Sequence, residues 1–235
     1  MNQAVTERER KSPGTLVELL ITVAVPALIL MKLSGDEQLG SVWALVVALA
    51  FPFIYGSWDL LSNRHVNFFA ILGLVSVLLT GGIGLLELDT KYIAIKEATV
   101  PAIIGIAVWV SLYTRYSVVR KLLLNPSIFD HEKLNKALAE NGQLAEFEKA
   151  IVRAGYGIVV SFAFSSSVNY ILAKSIVVSP TGTEAFNQEL GKLTALSIPV
   201  IVLPTMVILL GAIIYLFWKM YKLTGESVES FIELE

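Results

Sequence analysis

Lys96 and Glu97 stand side by side inside an otherwise apolar stretch, Asn67 to Gly105. A charge inside a hydrocarbon layer costs about 2.5–3.5 kcal/mol on insertion scales, so it persists where it is paired or where it serves an ion or solute path. The chemistry open to such residues is the binding of an ion, a proton or a small solute. Thr80, Gly81 and Gly82 close the first half of the same stretch, and Asn169 follows Ser165, Ser166 and Ser167 in a later apolar run. Hydroxyl and amide groups there supply hydrogen bonds between helices, and glycines let two backbones approach closely. Glu18 and Asp59 are secondary candidates near the ends of two other runs, where a carboxylate reaches the interface; Glu18 also fits a proton relay.

Most catalytic chemistry is excluded. The chain has no cysteine, which removes disulfides, thiolate catalysis and Cys-ligated metals. Its two histidines, His65 and His131, fall singly in polar connections, a placement expected of solvated side chains. No Ser-His-Asp set, HExxH or paired catalytic carboxylates occur, and TGGIG lacks the Lys-Ser/Thr that completes a phosphate loop. The expectation is a protein without catalytic, cofactor-binding or metal-binding residues, that is, no enzyme, and with no nucleic-acid partner.

The elements that position these residues follow from composition. Of 235 residues 55% are hydrophobic and 16% charged, with mean hydropathy +0.68; soluble domains carry about 25% charged residues. The apolar residues gather in runs of roughly twenty, the length that crosses a hydrocarbon core about 30 Å thick. The spacing predicts an all-α polytopic membrane protein with six transmembrane helices, near 15–33, 39–58, 67–88, 93–114, 155–177 and 197–219, and the lipid bilayer as its first partner. Helices one to four occupy 15–114 and helices five and six 155–219, with tails at 1–14 and 220–235. The first run is read as an uncleaved span, because SGDEQLG follows it without small residues spaced for cleavage. Thirteen lysines and arginines fall on the side of both termini and five on the other, which makes the termini cytoplasmic. Trp43, Trp58 and Trp218 suit interfacial belts, and Pro26, Pro52, Pro101, Pro199 and Pro204 read as kinks that neighbouring groups re-satisfy.

Residues 115–154 form a cytoplasmic amphipathic helical connection in this reading. Asp130 caps a short helix with Leu134, Ala137 and Leu138 on one face and Asn141-Gly142 as its stop. A second helix follows with Leu144, Phe147 and Ile151 on a stripe. Such helices lie at the bilayer surface or pack beneath the bundle.

With this orientation Thr80, Gly81, Gly82, Lys96, Glu97, Asn169, Pro199 and Pro204 all fall in the outer half of their spans. Three readings fit that coincidence. Gly81, Gly82 and Gly84 allow close helix contact while Lys96 bonds across to Asn169 or to carbonyls freed by Pro199; or Lys96, Glu97 and Asn169 line an outward-facing pocket for an ion, proton or small solute; or Lys96 snorkels to the interface. The echo of VPALI at 25–29 in VPAII at 100–104 fits a three-plus-three inverted repeat, a transporter device.

The segments LLTGGIGLLELDTKYIAIKEATVPAIIG, SSSVNYILA and TEAFNQELGKLTALSIPVI resemble intracellular septation protein A and its relatives, small bacterial inner-membrane proteins. The positions that carry the resemblance are Gly81, Gly82, Ile95, Lys96, Asn169 and Phe186. The whole chain also resembles a group of similar length often labelled major-facilitator transporters, although a true member of that class has two six-span halves. The resemblance implies a non-enzymatic role in envelope maintenance or septation, through helix contacts with itself as a homo-oligomer or with other envelope membrane proteins. The transporter label implies instead a small oligomeric secondary transporter.

Overall fold

The computed structural model describes residues 23–62, 68–114, 118–125 and 128–232. Over these residues the fold is all helical, apart from one isolated antiparallel bridge between Phe129 and Ile232. The elements are α1 (Val25–Lys32), α2 (Gly40–Ser62), α3 (Phe68–Leu85), α4 (Lys91–Ser111), α5 (Val118–Leu123), α6 (His131–Glu140), α7 (Leu144–Ile176), α8 (Glu184–Ser197), a π-helical turn (Ile198–Val202), α9 (Leu203–Thr224) and a 3-10 turn (Val228–Phe231). Four helical stretches are long and apolar enough to cross a membrane: Gly40–Trp58, Lys91–Ser111, Leu144–Ile176 and Glu184–Thr224. A further apolar helix, Ile71–Leu85, is shorter. They mark the chain as a helical membrane protein, since a helix satisfies its own backbone where no water reaches. Glu18, His65 and the first turns of the expected first span lie outside the described residues.

Two elements differ from the sequence expectation. The second amphipathic helix and the fifth span are one helix, α7, of 33 residues. Nothing between Leu144 and Ile176 breaks it, because Gly155 and Gly157 are tolerated inside a helix that packs on both sides. At 1.5 Å per residue it is about 50 Å long, well beyond a hydrocarbon core of about 30 Å, so one end must project. The charged end, with Glu146, Glu148, Lys149 and Arg153, suits water. Likewise the connection before the sixth span is helical, and Glu184–Thr224 runs as 41 helical residues.

The chain divides into two compact units. The first holds the chain up to Tyr92 together with Ile176–Ala195. In it Gly40, at φ +71°, turns the chain into α2, and its N–H closes the loop on the Gly35 carbonyl at 3.0 Å. α8 crosses α1 at backbone distance: a Cβ on Gly191 would meet the Ala27 carbonyl oxygen at 2.8 Å. Phe186 and Asn187, both buried, face inward from α8, and Asn187 Nδ2 donates to the Ser41 carbonyl at 2.6 Å. Glu189 accepts from Val178 N, Ser179 N and Ser179 Oγ at 2.7–2.9 Å and so fixes the loop before α8. In the turn before α4, Asp89 accepts the Lys91 N–H at 2.9 Å and pairs with Lys91 Nζ at 3.1 Å. Those bonds, the backbone one first, hold its carboxyl below the usual carboxylate range.

The second unit holds Ile93–Ser175 and the chain from Leu196 onward. One apolar core joins α5, α6, the first half of α7, the second half of α9 and the 3-10 turn, through Val119, Leu134, Leu138, Phe147, Ile151, Leu216, Met220 and Phe231. α6 has the N-cap read from sequence: Asp130 accepts the Lys133 N–H at 2.8 Å. Its Leu134, Ala137 and Leu138 are buried in this core rather than laid on a surface. The C-terminal segment, expected as a tail, is part of the same core. Asp130 N–H donates to the Phe231 carbonyl at 2.8 Å, Lys133 Nζ to the Ser230 carbonyl at 2.6 Å, and Asn141 Nδ2 to the Thr224 carbonyl at 3.1 Å. Arg120 pairs with Glu148 across α5 and α7.

Phe231 is fully buried at the centre of this core. Phe231→Ala is expected to destabilise the second unit by about 3–5 kcal/mol, the usual cost of a large aromatic-to-alanine cavity, read as a lowered midpoint in denaturant unfolding.

Candidate functional site

The charged pair lies early in α4. Lys96 Nζ and Glu97 Oε1 are 2.6 Å apart, with the Lys96 side chain 7% exposed and that of Glu97 31%. Neighbouring positions on a helix point about 100° apart, so both long side chains must bend to a common point. They do so because attraction between opposite charges grows as the dielectric falls. The pair therefore enters the apolar stretch as a neutral unit.

One turn further along α4, Pro101 has no N–H, which leaves the Glu97 carbonyl without its helical donor. The next carbonyl, that of Ala98, receives the Ser166 hydroxyl of α7 at 2.9 Å. A turn beyond, a Cβ on Gly105 would stand 3.0 Å from Phe162 Cβ, so α4 and α7 touch closely. Beside this crossing lies a cavity of about 310 Å³, lined by Pro101, Ala102, Gly105, Ile106, Trp109 and, from α7, Val159, Ala163, Ser166 and Ser167. Its wall is almost wholly apolar. Ser166 is committed to Ala98, and Ser167 donates to the Ala163 carbonyl of its own helix at 2.8 Å.

Asn169 belongs to the same unit as the pair, and its Nδ2 donates to the Ser165 carbonyl one turn back at 2.8 Å. Thr80, Gly81 and Gly82 belong to the other unit. Thr80 Oγ1 donates to the Ser76 carbonyl at 3.0 Å. A Cβ on Gly81 would meet Leu49 of α2 at 3.1 Å, and one on Gly84 would press on Leu45 at 2.5 Å and on Phe186 at 3.3 Å. Gly82 has open space around its Cβ position and lines, with Gly81, a shallow apolar groove between α2 and α3. Asp59 sits in the last turn of α2, its side chain outside the described residues, as is all of Glu18. No group of three or more His, Cys, Asp or Glu that could hold a metal ion occurs among the described residues.

Sequence reasoning missed two features. The first is Asn187, 1% exposed, whose amide ties α8 to the start of α2. Phe186, Leu190 and Leu193 recur at helical spacing around it, and Thr183 caps the helix by accepting the Phe186 N–H at 3.1 Å, so the pattern was there to find. The second is the π-helical turn Ile198–Val202, which contains Pro199 and is followed by Leu203, Pro204 and Thr205, whose buried hydroxyl has no hydrogen-bond partner among the described residues. The proline pair was the visible signal; the wider turn was not.

Comparison of the chain with protein-family models, with curated proteins and with solved structures yields no match.

Breaking a buried ion pair from one side strands a charge, whereas removing both charges does not. Glu97→Gln is expected to destabilise by about 2–3 kcal/mol, toward the low end for buried pairs because Glu97 is partly exposed. Lys96→Met combined with Glu97→Gln should recover most of that loss, read as thermal midpoints in detergent.

Proposed function

We propose that the chain is a six-span protein of a bacterial inner membrane, cytoplasmic at both ends, that works without chemistry of its own. It acts through lateral contacts of its helices, with itself or with other envelope membrane proteins, in envelope maintenance or septation. The observation that carries this reading is where the polar groups of the apolar helices go. Lys96 pairs with Glu97, Ser166 bonds Ala98, Asn169 bonds Ser165 and Thr80 bonds Ser76. Each is spent on protein. The excess of lysine and arginine on the side of the termini supports the orientation, and the resemblance to septation protein A supports the cellular role.

A second reading, a small oligomeric secondary transporter, draws on the 310 Å³ cavity and on the part-exposure of Glu97. Ligand sites combine apolar walls with a few polar groups aimed at the ligand. The two hydroxyls on this wall are already committed, which favours the first reading.

The test is thermal stability of the detergent-purified protein against a panel of ions, amino acids, sugars and pH values, beside Lys96→Ala. The expected result is that no solute raises the midpoint in a Lys96-dependent way, while Lys96→Ala melts earlier under every condition. A solute-specific rise that Lys96→Ala abolishes would overturn the reading in favour of transport; a ligand at a hundredfold over its Kd contributes about 2.7 kcal/mol.

A further inference from the structure

The second unit carries a cationic and aromatic cluster where α7 and α9 pass from apolar to polar sequence. Lys219 and Lys222 both place their ammonium groups over the ring of Trp218, at 5.3 and 5.2 Å from its centroid. Trp218 is itself 51% exposed. Lys149 and Arg153 of α7 join them: Lys149, Arg153 and Lys219 all lie within electrostatic reach of the Glu146 carboxylate. That carboxylate hydrogen-bonds Lys149 at 2.7 Å and offsets one of the four positive charges. Three cations, Arg153, Lys219 and Lys222, and an exposed indole are thus gathered together, and among the described residues none of the three forms an ion pair.

What lies along α9 from this cluster decides the occupant. Val207, Leu210, Ile214 and Trp218 recur at helical spacing and are all exposed, Val207 at 70% and Ile214 at 64%. From Val207 to Trp218 the stripe is about 16 Å long, close to half of a hydrocarbon core about 30 Å thick. An apolar strip one leaflet long, ending in an indole and two lysines, has the outline of a phospholipid. Clustered Lys and Arg just cytoplasmic of a span attract anionic headgroups.

We propose that Lys219 and Lys222, with Arg153, bind the phosphate of an anionic phospholipid whose acyl chain lies along the Val207–Trp218 face of α9. The inference rests on the membrane reading of α7 and α9. The shared chemistry is a phosphate oxyanion, and the apolar strip assigns it to a lipid rather than to a free ion. The two lysines leave the Trp218 ring for the headgroup, while the indole stays at the interface beside the glycerol backbone.

The test is native mass spectrometry of the full chain taken from nanodiscs containing phosphatidylcholine and phosphatidylglycerol. It compares the unaltered protein with Lys219→Gln/Lys222→Gln and with Lys136→Gln/Lys192→Gln, which removes two exposed lysines elsewhere. The unaltered protein and the control should retain phosphatidylglycerol preferentially. The Lys219→Gln/Lys222→Gln variant should lose that preference by about tenfold or more, with its phosphatidylcholine retention and thermal midpoint unchanged. Millimolar inorganic phosphate should not displace the lipid. Equal retention of both lipids by the unaltered protein, or a preference that survives the double substitution, overturns the proposal. Displacement by inorganic phosphate also overturns it, in favour of a soluble anion. Extraction of the chain from vesicles by alkaline carbonate would overturn the membrane reading itself, and the two failures are read separately.

Discussion

A hydrocarbon layer offers no water to a polar group, so each one carried into it needs a partner from the protein. Apart from the buried Thr205 hydroxyl, the polar side chains of the apolar helices named here follow that constraint. Thr99, Ser175 and Thr194 each return a hydroxyl proton to a carbonyl one turn back in their own helix, as Thr80 and Ser167 do. Lys96 and Glu97 obey it with charge, by meeting each other at 2.6 Å. Where a helix loses a backbone donor at Pro101, the hydroxyl of Ser166 arrives beside the gap. Helices that carry little unspent polarity hold together by closeness, which explains why glycines face Leu45, Phe162 and Ala212 at contact distance.

The second unit adds a small apolar core of its own. α7 is too long to end within a bilayer, and its charged first third joins α5, α6 and the C-terminal turn around Phe147, Leu138 and Phe231. The C-terminal segment is held by backbone and side-chain bonds to the loop before α6 and to its first turn, so residues far apart in sequence close one small core. This core follows directly on α7 and α9, which both contribute side chains to it.

Much of this was legible in sequence, and what was not has physical causes. α2 and α4 are apolar over one span length, and α6 announces itself by Asp130, by its Leu134–Leu138 face and by Asn141-Gly142. Membrane length alone hides continuity: hydropathy drops before Ala154, yet no breaker stands there, so α7 runs on. α8 was hidden because its polar composition resembles a loop, although its buried face repeats at helical spacing. Sequence pointed Lys96 to Asn169 or to carbonyls freed by Pro199, whereas its ammonium meets the adjacent Glu97 and Asn169 bonds Ser165 in its own helix. The partners of Ser166 and Asn187 depend on how the helices rotate against one another, which no local pattern states. Glu18 and the side chain of Asp59 fall outside the described residues.

The central claim is a membrane frame with its small core on the side of the termini, and its most direct measurement is cysteine labelling. The chain has no cysteine of its own, so single replacements report cleanly. With Glu37→Cys and Asp89→Cys the proposed frame predicts reaction with an impermeant maleimide applied to intact spheroplasts. Asn135→Cys and Glu226→Cys should react only after the membrane is opened. Labelling of Asn135→Cys and Asp89→Cys from the same side, or the reverse pattern, would contradict it.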